Sequence, residues 1–465
     1  MHRNVARLFI PFLLVSGALL AQAPPSTLAA PKDPVATATG FLDLLLKGDY
    51  AGAAALEGGP MKEAATPEKL KEVWTGIQTQ LGAYKRRVGT RAEHQAEHQG
   101  DYDFAFVTTA FERQTVDLKV VMDVGGKVVG FFIVPVQPAT PPPDAAPPPY
   151  AKPDAYRERD VTVGTGDWAL PGTLTTPVGP GPFPAVVLVH GSGPNDRDET
   201  VEANKPFRDL ALGLASRGIV VLRYEKRTRQ YADKVTKVAG FTVQQETVDD
   251  ALTAVALLRG LPEIDPRRVF VLGHSLGGLV LPRIGQGQPA LAGLIVMAGP
   301  ARPLEDLILD QVSYLTALDG IVTDPEKKQI EGLRAEVSKV KALKPGATDS
   351  GTGSILGAPA SYWLDLQGYD PPQASKYLPQ PMLILQGERD YQVTMTDFAA
   401  WKKVLSGKPN VTFKSYPRLD HLFLAGEGKS GPAEYGKPGH VDPAVVEDVA
   451  AWILGQGKKP AERSW

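Results

Sequence analysis

"VFVLGHSLGG", residues 269–278, runs a short apolar strand straight into a serine with one glycine before it and two after. A lone hydroxyl gains little at the tip of a buried strand, and the glycines ask for a backbone turn too tight for side chains. Two readings compete. Ser275 is either a helix-capping serine with incidental glycines, or a nucleophile held on a strand–turn–helix elbow of the form Gly-x-Ser-x-Gly. An apolar strand precedes it and a helical pattern starts at Leu276, which is the context the nucleophile reading requires.

A serine hydroxyl needs a base, and the base needs an orienting acid. In a sheet of this kind they follow in the order serine, acid, histidine. "LILQGERDYQV" (383–393) places Asp390 just past one strand, and "FKSYPRLDHLF" (413–423) places His421 just past the next. Open α/β sheets build their sites at that carboxyl edge. Glu388 and Asp420 are the rival acids: Glu388 is closer to its strand, and Asp420 adjoins the histidine and would point elsewhere. Downstream of Ser275 the only other histidine is His440, which precedes the last helix and reads as a surface cap. His274 cannot fold back onto the oxygen of its neighbour. "VVLVHGSGP" (186–194) ends another strand in a glycine-rich turn, so the backbone N–H groups of Ser192 and Leu276 are the expected oxyanion hole. His190 would hold that turn by hydrogen bonding. The charges of "NDRDETVE" (195–202) would pin the loop or touch the polar part of a substrate.

Working outward, apolar runs alternate with helical patterns, which predicts a largely parallel sheet covered by helices. "RDVTVG" and "WALPGTLTTP" form an opening hairpin, and "PAVVEDVAAWILGQG" a closing helix. Between Pro300 and Gln380 the alternation breaks. Leu304, Leu307, Ile308, Val312 and Leu315 share one helical face, and Ile330, Leu333, Val337 and Val340 form a second seam. This insertion, residues 301–378, reads as a helical cap over the strand ends. Within it, Tyr362, Trp363 and Tyr369 lie just downstream of these two helical faces; they are the expected acyl pocket, or part of the cap's own core.

The 465-residue chain is long enough for two folded units. Residues 1–30 read as a secretory signal peptide: Arg3 and Arg7 precede the apolar run "LFIPFLLVSGALLAQA", and small residues follow. The alternative is an uncleaved anchor, although Pro11 and Gly17 break the run, and no stable membrane span is expected after cleavage. Residues 31–137 read as a small α+β domain, two helical segments followed by an antiparallel meander, loosely NTF2-like. His94 and His98, four apart, would bind a metal only on a helix and with a further ligand; a solvated face is the simpler reading. "PATPPPDAAPPPYAKP" marks residues 138–155 as a semi-rigid proline-rich linker. Residues 156–465 carry the alternating pattern. The chain has no cysteine, which excludes disulfides and a thiol nucleophile, and its net charge of −2 gives no reason to expect nucleic acid. "RYEKRTRQYADKVTK" (223–237) is basic but lacks interleaved aromatics and reads as a solvated connection.

The segments "LVHGSGPNDRDE", "NKPF", "VLRYEKR", "GHSLGG", "GERD" and "YPRLDHLF" resemble the α/β-hydrolase superfamily. Within it they are similar to secreted or periplasmic hydrolases of the esterase and dienelactone-hydrolase-like kind. The resemblance runs from about Arg157 to the C-terminus, and an uncharacterised N-terminal domain precedes some such hydrolases. It implies an α/β-hydrolase fold with a helical cap and an exported serine carboxylesterase acting on small-molecule esters. Ser275, His421 and Asp390 are the expected triad, with no metal or organic cofactor. A peptidase or amidase on the same scaffold is the alternative, although no acidic pair for a substrate amine is recognisable. A catalytically idle binding protein is the third reading.

Overall fold

The computed structural model describes residues 33–97, 100–134, 146–347 and 354–456. The expected leader and the first part of the proline-rich linker lie outside the described residues. The chain divides into two compact units, with the boundary inside the expected linker.

In the first unit, helix α1 (Pro34–Lys47) starts at the Asp33 cap and stops at Gly48, whose φ of 74° only glycine adopts freely. The short α2 (Tyr50–Ala55) and α3 (Gly59–Ala64) follow, and α4 (Pro67–Leu81) begins at Thr66, whose hydroxyl accepts from the Lys69 N–H. Four antiparallel strands pair in chain order: β1 (Tyr84–Glu97), β2 (Gly100–Phe111), β3 (Thr115–Asp123) and β4 (Val128–Val134). Phe41, Leu45, Trp74 and Ile77 from the helices pack on Val107, Leu118, Val120 and Met122 from the strands. The sequence reading missed β1. It is an edge strand rich in arginine, and its polar side chains hide the period that a half-buried strand shows. His94 lies in it, so the helical spacing a metal pair would need is not there, and His98 falls outside the described residues. Among the described residues no group of three His, Asp or Glu could hold a metal ion.

The second unit is an eight-stranded mixed sheet. Strands β5 (Tyr156–Val163) and β6 (Leu170–Pro177) form the expected hairpin. The order across the sheet is β5–β6–β8–β7–β9–β10–β11–β12, with β7 (Phe183–Val189), β8 (Val220–Tyr224), β9 (Ile264–His274), β10 (Gly293–Met297), β11 (Met382–Gly387) and β12 (Val411–Tyr416). From β8 to β12 every pairing is parallel, which requires a crossover between successive strands and covers both faces. Alternation divides the strands accordingly. Val187 and Val271 face one core, packed on α6 (Asp249–Arg259), α7 (Leu276–Gly287) and α10 (Met395–Leu405). Leu188 and Leu272 face the other, against α5 (Pro206–Ala215) and α11 (Pro443–Gly455). The insertion between β10 and β11 is helical as expected, with α8 (Leu304–Thr316), α9 (Asp324–Ala342) and two shorter helices, Ala360–Leu366 and Pro371–Ser375.

The linker reading needs a correction at its C-terminal end. Residues from 146 onward are docked on the second unit: Tyr150 packs into the α5–α11 core and donates its hydroxyl to the Val441 carbonyl at 2.9 Å, while the Lys152 N–H donates to Ser216 Oγ at 2.8 Å. One aromatic ring outweighs the extended preference of the prolines around it. Tyr150→Ala should therefore destabilise the second unit by about 2–3 kcal/mol and extend proteolytic cleavage into residues 146–155. Unchanged urea midpoints and cleavage sites would show that the segment is a free spacer.

Candidate active site

Ser275 sits between β9 and α7 with φ 51° and ψ −118°, a conformation costly for any residue with a side chain. Its hydroxyl makes no capping bond to the helix, which removes the helix-cap reading. The glycines explain how the chain reaches this geometry. A Cβ on Gly277 would collide with the Val189 carbonyl oxygen, and one on Gly273 with the Gly277 carbonyl. At Gly278 it would lie 2.8 Å from Gly299 Cα. All three positions are backbone-on-backbone contacts, so the turn exists only without side chains.

His421 and Asp390 come together from the loops after β12 and β11. His421 Nδ1 lies 2.7 Å from Asp390 Oδ2, with both side chains buried. The carboxylate is fixed in turn: Oδ1 accepts the N–H groups of Gln392 and Val393 at 2.7 and 2.9 Å, and Oδ2 accepts from Gln386 Nε2 at 3.1 Å. The rival acids are occupied elsewhere. Glu388 accepts from Ser415 at the surface, and Asp420 accepts the N–H groups of Leu422 and Leu424, shaping the turn that presents His421. His440 pairs with Asp209 at 3.1 Å beside α5.

Gly191 leads the glycine turn up to the serine; a Cβ there would stand 3.1 Å from Ser275 Cβ. Among the described residues no hydrogen bond takes up the backbone N–H of Ser192 or of Leu276. His190 Nε2 donates to the Asp196 carbonyl at 3.0 Å, and burial drives its pKa down to about 4, so it stays neutral. The acidic loop is pinned by its own charges: Asp196 accepts from Thr200, Arg197 binds Glu225, and Asp198 pairs with Arg223.

Glu199 was expected only as one of the charges pinning its loop, and His274 was given no role in the site, yet the two tie it together. Glu199 Oε1 accepts the Gly191 N–H at 2.6 Å, and Oε2 lies 3.0 Å from His274 Nδ1. His274 Nε2 lies 2.9 Å from the His421 carbonyl oxygen. Acceptors on both ring nitrogens fit a cationic imidazole. Burial pushes the Glu199 carboxyl up, but His274 and the Gly191 N–H more than offset it and leave the pKa below the usual 4.5. Burial would lower His274, but Glu199 and the His421 carbonyl hold it above the usual 6.5. Lys226 is a second omission and a correction. The sequence reading put it in a solvated basic connection; it is buried, paired with Glu246 at 2.7 Å, and donates to the Gly191 carbonyl at 2.7 Å. Its place just past the end of β8, on the carboxyl edge, was the available signal.

The cap rests on the loops that carry Asp390 and His421. Tyr314 of α8 stacks on Tyr391 with ring centroids 5.3 Å apart and donates to the Ser430 carbonyl, while Gln311 donates to the Gln392 carbonyl. Leu315 joins Tyr391, Leu422, Leu424 and Tyr435 in one apolar cluster. The expected aromatic pocket is corrected, because its side chains are committed to packing. Tyr362 is in the main core and donates to Glu246 at 2.7 Å. Trp363 fills the cap's own core and donates to the Ile355 carbonyl. Tyr369 lies under the Arg283 guanidinium, 4.4 Å from its ring centroid.

Residues 186–429 match the family described as "Alpha/beta hydrolase family", and residues 38–131 match "Protein of unknown function (DUF3887)". Esterase EstD of Thermotoga maritima is 41% identical over 415 residues, covering 89% of this chain and 94% of that protein. Among solved structures, Est1E from Butyrivibrio proteoclasticus aligns at TM-score 0.41 and 17% identity, over 64% of this chain and 99% of that one. A puromycin-hydrolyzing peptidase of Mycobacterium tuberculosis aligns at 0.43 and 16%, over 77% and 46%.

The Glu199–His274 pair predicts a pH signature. Its acid half is fully present above pH 4.5 and is lost as pH falls through the depressed folded-state pKa. Its histidine half is fully present below pH 6.5 and is lost as pH rises through the elevated folded-state value. Glu199→Gln should therefore destabilise by about 3 kcal/mol between those values and by less on either side. Urea unfolding of both proteins across the range checks this; a pH-independent difference would mean that His274 is neutral.

Proposed function

The chain belongs to the α/β-hydrolase family, and on that premise we propose that it is an exported serine carboxylesterase acting on short-chain acyl esters. Ser275 Oγ attacks the ester carbonyl while His421 Nε2 takes its proton. Asp390, on the far side of the ring, fixes the imidazole and stabilises its cationic form. The oxyanion that develops is received by the N–H groups of Ser192 and Leu276. Each such donor contributes roughly 3 kcal/mol to the transition state. Collapse expels the alcohol, protonated by His421, and leaves an acyl-Ser275. Water, deprotonated by His421, adds to the acyl carbonyl; collapse releases the acid and returns the proton to the serine.

The observation that carries the reading is the buried 2.7 Å contact of His421 with an Asp390 held by three further donors, on the same sheet edge as a strained Ser275. The esterase choice is supported by the name of the 41% identical relative. Export rests on Arg3 and Arg7 before the apolar leader run. No helix among the described residues is long and apolar enough to cross a membrane.

Ser275→Ala should abolish hydrolysis and fluorophosphonate labelling while leaving the thermal midpoint near wild type; labelling that persisted at another serine would refute the assignment. His421→Ala should lower turnover roughly a thousandfold or more, and His440→Ala should change it little. The reverse pattern would move the base to His440. Acetyl and butyryl p-nitrophenyl esters should be cleaved far more efficiently than aminoacyl p-nitroanilides. Greater efficiency on the anilides would make the protein a peptidase.

A further inference from the structure

Lys226 has an environment that an ordinary structural ion pair does not need. It is one of the largest fully buried side chains of the described chain, and it follows β8 by two residues. Its ammonium touches two acceptors, Glu246 Oε1 at 2.7 Å and the Gly191 carbonyl oxygen at 2.7 Å. The other Glu246 oxygen takes the Tyr362 hydroxyl at 2.7 Å. Asn195 Nδ2 also reaches the Gly191 carbonyl, at 3.1 Å, and the Lys226 N–H holds Asn195 by its carbonyl at 3.1 Å. From the opposite side Glu199 accepts the Gly191 N–H at 2.6 Å. Gly191 is therefore gripped at both of its backbone polar groups, each by a buried side chain of opposite charge.

The carbonyl of Gly191 belongs to the same planar peptide as the N–H of Ser192. That peptide is trans, so the two groups point in opposite directions. Fixing the oxygen on a buried ammonium fixes the direction of the N–H. It also withdraws electron density through the amide and makes the N–H a stronger donor, as hydrogen bonds in a chain polarise one another. A lysine–glutamate pair buried only for stability would be replaceable by apolar side chains of similar volume. The second contact, to Gly191, is what such a replacement would lose.

We propose that Lys226 is a positioning residue for the oxyanion hole, orienting and polarising the Gly191–Ser192 peptide so that the Ser192 N–H meets the developing charge. The inference rests on the serine-hydrolase reading above. Its effect belongs to the transition state: ground-state binding of the ester is untouched, and tetrahedral adducts on Ser275 are weakened.

The test compares wild type, Lys226→Met and the double variant Lys226→Met/Glu246→Gln, which removes the carboxylate that the single change strands. Three quantities are read: kcat and KM on p-nitrophenyl butyrate, the inhibition constant of an alkyl trifluoromethyl ketone, and the rate of fluorophosphonate labelling of Ser275. In both variants kcat should fall roughly 10–100-fold, below the loss of a whole oxyanion donor, with KM within about twofold. Ketone affinity and labelling rate should fall by the same factor as kcat. The double variant should regain thermal stability without regaining kcat. Recovery of kcat in the double variant, or a fall in kcat with ketone affinity unchanged, would overturn the proposal. If wild type turned over no ester yet labelled at Ser275, the ester reading would fail, and the labelling-rate ratio would still decide the role of Lys226.

Discussion

The second unit hangs on one contact between backbones: the start of α7 pressed against the end of β7, where Gly277 meets the Val189 carbonyl with no room for a methyl group. Strand β9 carries Gly273 beside Val189 in the sheet register, so the serine turn and the glycine turn are neighbours because their strands are. Close approach forces the helix to begin at once, holds Ser275 at positive φ, and brings Gly191 alongside it. The later strands then have a fixed edge to which they deliver an acid and a histidine. Apolar packing holds the layers together, but it is non-directional and could not by itself set a turn to this tolerance.

Around that contact the chain places charge where hydrocarbon would have packed. Glu199, Lys226, Glu246 and His274 are all buried; Glu199, Lys226 and His274 each hold a backbone group as well as a charged partner, and Glu246 joins Lys226 to the Tyr362 hydroxyl. Such groups tolerate few alternative arrangements, since any slip strands a charge away from water. They make the site stiff. The cap is joined to the same framework, because α8 reaches the loops of Asp390 and His421 through Tyr314 and Gln311.

Much of this was legible in the sequence. The strained turn at Ser275, the placing of Asp390 and His421 just past successive strands, the sheet and the inserted helices all follow from local patterns: glycine spacing, apolar runs and helical period. Asp390 could be preferred to Asp420 because the neighbour of a histidine points away from it. The buried charges were not legible, for a physical reason. Lys226 stands in a run of basic residues in which Arg229 and Lys237 are exposed and Arg223 is buried, and beyond its place at the carboxyl end of β8 only its three-dimensional partner Glu246 distinguishes it. The aromatic trio misled in the opposite way. Aromatic side chains near a cap read as a pocket, yet Tyr362 and Trp363 each find a buried acceptor and a core to fill. Strand β1 was hidden by the polarity of an edge.

The backbone at Ser275 carries a further consequence. Its φ of 51° is comfortable for glycine and strained for serine. A chain that exchanged this serine for glycine would fold at least as well and, on the proposed mechanism, do no chemistry. Selection for a durable fold thus pulls against the proposed nucleophile, and only selection for turnover would keep it. Among descendants of this architecture, silent copies are the ones that thermodynamics favours.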